Sequence, residues 1–545
     1  MASLGDWIPN AQNFQQFFAP SELRFQRLAT VVLPFLAAEK RRAHTAGGED
    51  ASNSPPSLLK TLFTVLDTTC ELRSPLVGAC EAYMRLHHIP LWNIPSTSSS
   101  SPEGDNTGGS SNGAAPSGAP QVSFGDLLTT VVKEALRFPI YFTTPLSKDP
   151  SHVSWSKQQV FSILSCAFLC LFPRPSENCC TNDRRFEMMP SINYDEMIFP
   201  EDNSPGKTSV QQEKLLMFLD YVAAIHQRRH LWSEEEEEIA TTTATPSTEE
   251  VAVLLRPLVI LRHAITPDEV VELLQSAGPT TALNPFTVYP LRHSIDDASS
   301  MLRVDFANRI IGGASIAYGC VQEEITFSVC PELNASRLIH SPMKFNEAIV
   351  LCGAEQFSLL KPGTYGFGMR HGGAVNPSPC PRGGAVVAID AMDYRYVDSE
   401  EQYKWPVMQR ELTKLLAAFL APVEEKGRVP SEEAASVATG NWGCGVFGGD
   451  VELKFLLQWI ACALAKKHMH YFPFDEKRFE AVMVALGKRI VDCKITVANM
   501  LHFLQTIVGP NANALGSRRR SRSGSAPAHS VWSLLNEFVA DFEKI

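Results

Sequence analysis

The sequence predicts a mainly helical first half, followed by an α/β domain with a central sheet. Before about residue 250, apolar residues recur mostly at helical spacing, and few segments alternate as strands do. From Val251 onward, short apolar runs alternate with helix-like stretches, which is typical of a sheet covered by helices. A chain of 545 residues with 44% hydrophobic content has room for roughly two to four domains of about 150 residues each.

Helical spacing in the first half predicts helices over residues 21–42, 58–86, 124–137, 156–172 and 210–227. Segment 21–42 begins with a capping serine, Ser21, and ends in basic residues, but Pro34 should kink or split it. Segment 156–172 is apolar on most sides and predicts a buried helix, whereas 210–227 predicts an amphipathic one.

Two polar stretches interrupt these helices. Residues 96–120 are rich in Gly, Ser and Pro and are expected to be disordered, because they have nothing to bury. Residues 233–250 are acidic and threonine-rich, and we expect a solvated loop there.

The second half contains short apolar runs that predict strands over residues 258–261, 287–291, 301–307, 348–352, 385–389, 435–438 and 470–474. Helices are predicted between some of them, over 408–420 and 451–466. The stretch 359–384 is rich in glycine and proline, and we expect a long loop that acts as a lid.

Composition narrows the class of protein. The net charge of −11 leaves no global basic field, so any polyanion would have to be attracted locally. The 13 cysteines show no metal-site spacing and are expected to be reduced, buried thiols. The N-terminus lacks the pattern of a secretory signal, and the longest apolar run, 160–172, is too short to span a bilayer. We therefore expect a soluble intracellular protein, in the nucleus, the cytoplasm or both.

The stretch 303–327 carries the clearest chemistry. The strand predicted over 301–307 places Asp305 and Asn308 near its carboxyl end, where ligands collect in α/β sheets. A glycine pair follows, and then Gln322, Glu323 and Glu324 open an apolar run. Acids in the first turn of a helix are favoured by its dipole, so a purely structural role stays open for both glutamates. However, carboxyl groups in an apolar setting are costly, and two of them can divide the work of cleaving a glycosidic bond.

A second motif, residues 438–467, combines a strand end, a glycine-rich loop and a helix. Asp450 is a plausible N-cap of that helix. A loop of this kind gathers outward N–H groups and a positive dipole end, which suits a diphosphate. It matches neither a Walker motif nor a regular dinucleotide fingerprint, so a plain turn is the alternative.

These motifs resemble those of the poly(ADP-ribose) glycohydrolase family. The resemblance covers VDFAN, the glycine pair, GCVQEE, PELNASRL and GNWGCGVFGGD. It implies a macrodomain-like core, in which a mixed central sheet is flanked by helices, preceded by a mainly helical accessory domain. One departure is visible, since the family's third glycine is Ala314 here.

The resemblance implies a role for each site residue. Glu324 would be the catalytic acid/base, Glu323 would orient the ribose, and Asp305 would be an accessory acid. Asn308 and Gln322 would bind ribose. The remaining substrate-binding residues would be Ile295 and Asp296 at adenine, Tyr365 (with Phe367 as the rival) as a clasp on the lid loop, Asn441, Trp442, Gly443, Cys444, Gly445 and Val446 around the diphosphate, Phe447 near the terminal ribose, and Phe474 stacked on adenine. A core position on a strand is the alternative for Phe474.

The function implied is hydrolysis of the ribose–ribose O-glycosidic bonds of poly(ADP-ribose), with release of ADP-ribose and a role in the DNA damage response. The partner would be poly(ADP-ribose) on modified proteins. No cofactor, metal, direct nucleic-acid binding or membrane contact is expected, and the protein is expected to be a monomer. A non-catalytic ADP-ribose reader and a metal-dependent nucleotide diphosphatase are the alternatives.

The predicted division of the chain is an N-terminal helical region (1–93), a disordered linker (94–121), a helical accessory domain (122–250), a catalytic domain (251–510), a Ser/Arg-rich loop (511–530) and a C-terminal helix (531–545). The basic cluster 518–522 in that loop is either a nuclear-targeting or polyanion-contact signal or a solvated loop.

Overall fold

The structure is a computed structural model. It describes residues 22–45, 59, 62–63, 74–87, 122–144, 146–172, 189–198, 204–229, 256–298, 300–364, 366, 368–379, 385–422, 436–474, 477–517 and 530–544. The predicted disordered stretch 96–120, the acidic stretch 233–250 and the basic cluster 518–522 lie outside these residues. The predicted domain boundaries stay predictions.

The described residues up to 229, here called the helical region, confirm the predicted helical pattern. Its helices are α1 (Glu22–Arg27), α2 (Leu33–Thr45), α3 (Ser74–His87), α4 (Phe124–Leu136), α5 (Phe138–Tyr141), α6 (Lys157–Phe168), α7 (Asp195–Ile198) and α8 (Pro205–Arg228). Ser156 caps α6 by accepting the N–H of Gln159, and the helix is buried as predicted. A π-helical turn, Leu28–Val32, lies between α1 and α2, and Pro34 is the second residue of α2. The α-helical hydrogen-bond pattern is thus interrupted before this proline, but the chain stays helical from 22 to 45 and is not split at Pro34.

The main sheet has eight strands in the order β1-β2-β5-β8-β4-β9-β10-β3. Their bounds, together with those of a separate β6–β7 hairpin, are β1 (His152–Trp155), β2 (Leu258–Ala264), β3 (Phe286–Val288), β4 (Leu302–Ala307), β5 (Glu347–Cys352), β6 (Glu355–Leu360), β7 (His371–Pro379), β8 (Ala385–Asp390), β9 (Ser436–Gly440) and β10 (His468–Phe472). Strands β8, β4, β9, β10 and β3 run parallel, whereas β1, β2 and β5 join by antiparallel pairing. The sheet is therefore mixed, which confirms the predicted macrodomain-like core.

Helices cover both faces of this sheet. One face packs with the helical region into a single apolar cluster, and the other packs on helices of the second half of the chain. The helices beyond residue 256 are α9 (Pro267–Ser276), α10 (Gln322–Val329), α11 (Trp405–Phe419), α12 (Val451–Leu464), α13 (Lys477–Asp492), α14 (Val497–Phe503), α15 (Ala512–Ser517) and α16 (Val531–Phe542). Within the described part of the chain, no helix is long and apolar enough to cross a bilayer.

The prediction of one long loop over 359–384 is wrong in part. Much of this stretch belongs to the β6–β7 hairpin, and only residues 361–370 connect its two strands. Strand β7 was not predicted because its glycines and prolines are typical of loops. Its pairing with β6 is also irregular, with register shifts at Gln356/Ser358 and Ser358/Leu360. Strand β1 was also missed, since it lies among helices in the chain and gains its partner only from β2.

The carboxyl ends of the five parallel strands meet at one edge of the sheet. The segments that leave this edge are residues 289–298 after β3, 308–321 after β4, 391–398 after β8, 441–450 after β9 and 473–474 after β10. These segments contain most of the predicted site residues, because parallel strands deliver their following loops to the same side.

Candidate active site

Glu323 and Glu324 lie in the first turn of α10, and both are buried, at 2% and 7% exposure. The predicted helix is therefore present, and the dipole at its N-terminus favours the two acids there. The backbone N–H of Val321 donates to Oε2 of Glu324 at 3.1 Å, and the N–H of Ala314 donates to Oε1 at 3.1 Å. Both oxygens of this carboxyl group are thus held by main-chain donors.

The glycines around Glu324 are required by close approach. A Cβ added at Gly319 would lie 2.7 Å from Cγ and Cδ of Glu324, and one at Gly313 would lie 2.5 Å from its Oε1. Gly312 and Gly313 also have positive φ angles of 79° and 46°. Ala314 does not have a positive φ among the described residues, so an alanine here causes no backbone strain and keeps its N–H on the acid.

Glu323 is an acceptor for two further main-chain donors, the N–H of Asn308 at 2.8 Å and that of Gly312 at 2.6 Å. Burial raises the pKa of Glu323 well above its usual range, and Asp305 and Glu324 raise it further, while the two backbone hydrogen bonds oppose the shift. The side chain is consequently fixed in place at the base of the loop that follows β4.

Asp305 lies on β4 and is completely buried. Neither of its carboxyl oxygens has a hydrogen-bond partner among the described residues. Burial raises the pKa of Asp305 well above its usual range, opposed by Arg303 and reinforced by Glu324. Burial therefore disfavours the charged form of Asp305, and its predicted accessory role stays a prediction.

The two amides predicted to bind ribose are partly used by the protein itself. Gln322 accepts the N–H of Phe306 at 2.8 Å and donates to the carbonyl of Val304 at 3.3 Å. The N–H of Phe306 and the carbonyl of Val304 have no partner on β9, because β9 pairs with β4 only at Leu302 and Arg303. The Gln322 side chain therefore takes the place of a neighbouring strand at this end of β4. The Oδ1 atom of Asn308 accepts the N–H of Ile310 at 3.0 Å. Ribose binding by both amides stays a prediction.

The glycine-rich loop leaves β9 and enters α12, as predicted. Asp450 caps α12 by accepting the N–H of Leu453 at 2.9 Å. Gly443 has a φ of 72°, and a Cβ there would lie 2.4 Å from that of Ala391. A Cβ added at Gly445, by contrast, would have no other atom within 4 Å. The loop is therefore closely packed at Gly443 and open toward solvent at Gly445.

Side chains in this loop have different surroundings. Trp442 is fully buried and donates to the carbonyl of Ile389 at 2.9 Å, so it can offer a ligand only its main chain. The amide of Asn441 donates to the carbonyl of Pro473 at 2.8 Å, which ties the loop to the end of β10. Cys444 is partly buried, Val446 is exposed, and the ring of Phe447 lies 5.5 Å from the guanidinium of Arg395.

The predicted adenine residues lie beyond β3 and β10. Ile295 is buried, and Asp296 accepts hydrogen bonds from Arg303 at 3.2 Å and from the hydroxyl of Ser294 at 3.1 Å. Phe474 follows the end of β10, is 63% exposed and has a φ of 59°. The alternative of a core strand position for Phe474 is wrong. A bulky residue held exposed and with positive φ is a common feature of ligand sites.

Tyr365 and its rival Phe367 lie outside the described residues. The residue between them, Gly366, is described, and its N–H donates to the carbonyl of Cys320 at 3.1 Å. The loop that connects β6 and β7 therefore touches the segment that leads into α10. Whether Tyr365 clasps a ligand stays a prediction.

Two buried cations next to the glutamates were not identified from the sequence. Lys214 on α8 donates to three carbonyls of the segment 314–317, and Arg337 donates to two carbonyls just before it. A signal for Lys214 was present, since Val210, Lys214 and Phe218 follow one another at four-residue spacing on a buried helix face. A lysine on such a face needs a buried partner.

Within the described ranges, no group of three or more His, Cys, Asp or Glu side chains could hold a metal ion. The diphosphatase hypothesis needs a cluster of carboxylate ligands, which Asp305, Glu323 and Glu324 could offer, but these three do not form such a group.

Comparison with known protein families gives two matches, one after the other along the chain. Residues 117–243 match the model described as "Poly (ADP-ribose) glycohydrolase (PARG), helical domain", and residues 275–481 match that described as "Poly (ADP-ribose) glycohydrolase (PARG), Macro domain fold". Together the two models match more than half of the chain. The order of a helical domain and a macrodomain agrees with the fold described above.

Three curated relatives are similar. The "Probable poly(ADP-ribose) glycohydrolase 2" of Arabidopsis thaliana is 28% identical over 62% of this chain and 66% of that protein. The "Poly(ADP-ribose) glycohydrolase 1" of the same species is 26% identical over 66% of this chain and 70% of that protein. The "Poly(ADP-ribose) glycohydrolase 1" of Caenorhabditis elegans is 30% identical, but the match covers 38% of this chain and 28% of that protein. The chain thus spans about two thirds of the first two relatives and much less of the third.

Proposed function

Because the chain belongs to the poly(ADP-ribose) glycohydrolase family, a family of glycohydrolase enzymes, we propose that it hydrolyses the ribose–ribose O-glycosidic bonds of poly(ADP-ribose) and releases ADP-ribose. The observation that carries this proposal is the pair of buried carboxyl groups, Glu323 and Glu324, at the same sheet edge as an open glycine loop.

The order of the segments along this edge supports the proposal. The strands β4, β9, β10 and β3 are neighbours in that order, and they are followed by the glutamates, the glycine loop, Phe474 and Asp296 respectively. Four neighbouring strands have three spacings of about 4.8 Å each, so this row of four segments is about 14 Å long. ADP-ribose has its terminal ribose, diphosphate and adenosine in the same sequence, so one unit can lie along the row.

Each part of the ligand would meet suitable chemistry. Main-chain N–H groups around Gly445 and Val446 would bind the diphosphate without a large positive charge, which agrees with the acidic net charge of −11. The exposed ring of Phe474 would stack on adenine, and the carboxylate of Asp296 would accept a hydrogen bond from the adenine amino group.

The reaction would follow the usual course of glycoside hydrolysis. Protonated Glu324 donates its proton to the leaving ribose oxygen as the bond from C1 to that oxygen breaks, leaving an oxocarbenium-like sugar. The carboxylate of Glu324 then removes a proton from the water that attacks C1, which restores the acid. Glu323, held by the N–H groups of Asn308 and Gly312, would accept hydrogen bonds from the ribose hydroxyls on its remaining lone pairs.

The test is the release of ADP-ribose from labelled poly(ADP-ribose). General acid–base catalysis contributes about 10²–10⁴-fold, so Glu324→Gln should lower kcat by that factor and leave ADP-ribose affinity nearly unchanged. Intact polymer with the wild-type protein, together with tight ADP-ribose binding, would instead identify a non-catalytic reader. Release of AMP-type products that stops on chelation would identify a diphosphatase.

We also propose a substrate form, a location and an oligomeric state for the protein. The substrate would be poly(ADP-ribose) attached to modified proteins, in the nucleus, the cytoplasm or both, with action in the DNA damage response. The protein would act as a monomer, without direct contact to nucleic acid or membrane. Fractionation of cells and light scattering of the purified protein test location and oligomeric state.

A further inference from the structure

A buried lysine of the helical region binds the main chain beside the two glutamates. The Nζ atom of Lys214 donates to the carbonyls of Ala314 at 2.9 Å, Ser315 at 2.9 Å and Ala317 at 3.0 Å. An ammonium group has three N–H donors, and these three carbonyls match them one for one. No ion pair to Lys214 is present among the described residues, although it is only 2% exposed.

A buried lysine without a carboxylate partner is costly and uncommon. Burial lowers the pKa of Lys214 to about 7, an effect that Glu324 and Cys320 oppose and Arg337 reinforces. An apolar side chain of the same size would avoid this cost, but it would leave the carbonyls of Ser315 and Ala317 without a donor among the described residues. The carbonyl of Ala314 would keep the backbone N–H groups of Ala317 and Gly319. The hydrogen bonds that Lys214 donates to the loop therefore explain why a lysine occupies this buried position.

Arg337 binds the preceding part of the same loop. Its Nη1 donates to the carbonyl of Ile311 at 2.7 Å and to that of Gly313 at 2.9 Å. Its Nε donates to the carbonyl of Ser191 in the helical region at 3.1 Å. Two cations thus hold five carbonyls between residues 311 and 317.

The same peptide units point their N–H groups at the glutamates. The unit whose carbonyl belongs to Ile311 has its N–H on Gly312, which donates to Glu323 at 2.6 Å. The unit whose carbonyl belongs to Gly313 has its N–H on Ala314, which donates to Glu324 at 3.1 Å. Because C=O and N–H point in opposite directions across a trans peptide, a cation that fixes the carbonyl also fixes the donor.

Lys214 continues this arrangement one unit further. It holds the carbonyl of Ala314, the residue whose own N–H is bonded to Glu324. It also holds the carbonyls of Ser315 and Ala317 in the turn that leads to Gly319, which packs against the Glu324 side chain. Lys214 therefore binds the segment 314–319, whose first residue, Ala314, donates to Glu324 and whose last residue, Gly319, packs against it.

We propose that Lys214 is a positioning residue, by which the helical region orders the 311–317 loop and so places Glu324 for proton transfer. The inference builds on the proposed function, because it assigns Glu324 the reacting proton. It makes the helical region a working part of the active site in addition to its part in the shared core. A misplacement of about 1 Å can cost about 10²-fold in rate, so a loosened loop should be visible in kcat.

The experiment compares Lys214→Met with Lys157→Met in the full chain. Lys157 is a matched control, since it is a buried lysine of the helical region that reaches across to Glu332 at 2.5 Å and to the carbonyl of Gly353 at 2.7 Å. Among the described residues, Lys157 makes no hydrogen bond or ion pair with the 311–317 loop. If Lys157→Met does not fold, Arg228→Met, which removes the 3.0 Å ion pair with Glu355, takes its place.

Three measurements are made on each folded variant: kcat and KM on poly(ADP-ribose), the Kd of ADP-ribose, and deuterium uptake of peptides that cover the loop. For Lys214→Met we expect kcat to fall at least about tenfold, the ADP-ribose Kd to change less than about threefold, and loop uptake to rise. The control should keep kcat within about threefold of wild type while it loses stability. Lys214→Arg, which keeps a buried cation, should recover part of the lost turnover.

Two results would overturn the proposal. One is wild-type turnover in folded Lys214→Met, and the other is an equal loss of kcat in the control, which would indicate a general loosening between the two regions. If Lys214→Met yields no folded protein, Lys214→Arg decides alone, and unchanged kcat and loop uptake in that variant count against the proposal. If the wild-type protein cleaves no polymer, the proposed function fails, whereas deuterium uptake still shows whether Lys214 orders the loop.

Discussion

Arg337 and Glu324 are bonded to opposite ends of one peptide unit. The guanidinium donates to the carbonyl of Gly313 at 2.9 Å, and the N–H of Ala314 donates to Oε1 of Glu324 at 3.1 Å. The position of the acid thus depends on a cation that never touches it directly. Since both groups are buried, small changes in this loop should affect turnover more than they affect the rest of the fold.

Gly319→Ala should reduce turnover through Glu324. The added Cβ would lie 2.7 Å from Cγ and Cδ of Glu324 and 2.8 Å from the Cβ of Ala314, so the acid has to move. We expect kcat to fall about 10²-fold and stability to fall by about 1–3 kcal/mol. Steady-state kinetics and urea unfolding measure the two effects.

Gly206→Ala is the control for this substitution, because a Cβ there meets nothing within 4 Å and the residue lies in the first turn of α8. It should leave kcat unchanged and stabilise the protein slightly. Full turnover in Gly319→Ala would show that Glu324 tolerates displacement and would contradict its assignment.

Asp305 should make stability fall as pH rises. Its pKa is raised in the folded protein by burial, so the folded state keeps a proton that the unfolded state releases above about pH 4. The stabilising contribution is complete below that pH and is lost progressively toward neutrality, by at most about 1.4 kcal/mol per pH unit. Asp305→Asn removes this proton, so the free energy of unfolding of the variant relative to wild type should rise between pH 5 and pH 7. Equal pH slopes for the two proteins would mean that Asp305 is ionised in the folded state.

Lys214 should have the opposite effect at higher pH. Burial lowers its pKa to about 7 in the folded protein, so the ammonium with three N–H donors is the main form of Lys214 only below about pH 7. Between about pH 7 and pH 10 the unfolded state holds a proton that the folded state has lost. Its contribution to stability is therefore present above its ordinary pKa and is lost as pH falls toward 7, again by at most about 1.4 kcal/mol per pH unit. Wild type should gain stability relative to Lys214→Met between pH 7.5 and pH 9.

The groups that face this ammonium are Glu324, Cys320, Arg337 and, across a small cavity, Tyr194. Chemical unfolding of both proteins at the two pH values measures the difference. A stability difference that does not change with pH would show that Lys214 stays charged throughout this range.

Phe474→Ala should weaken ligand binding and leave the fold intact. The side chain is 63% exposed, so its removal costs little apolar burial, whereas stacking of an aromatic ring on a base contributes about 1–3 kcal/mol. We expect the Kd of ADP-ribose to rise by about 10–100-fold and the thermal midpoint to stay nearly constant. Val482→Ala, which truncates another exposed apolar side chain at 51% exposure, should change neither quantity. Unchanged affinity in Phe474→Ala would place adenine elsewhere.

Much of the local structure was predictable because it depends on neighbours in the chain. The Ser156 cap of α6, the interruption of the α-helical pattern before Pro34 and the Asp450 cap of α12 involve residues within one or two turns of each other. The β6–β7 hairpin and β1 were not predictable in the same way, since their pairing partners are distant or irregular. Phe474 was left open for a related reason, because an apolar residue after a strand is compatible with either burial or exposure.

The sequence by itself determined the helical first half, the alternating second half and the two motifs that resemble one family, because spacing and composition are local properties. Only the tertiary structure decided that β4 and β9 are parallel neighbours, which places Glu324 and the glycine loop at one edge. It also decided that Lys214, one hundred residues before Ala314, holds the loop beside that acid. Such contacts are set by the packing of whole elements around a core, and no spacing along the chain specifies them.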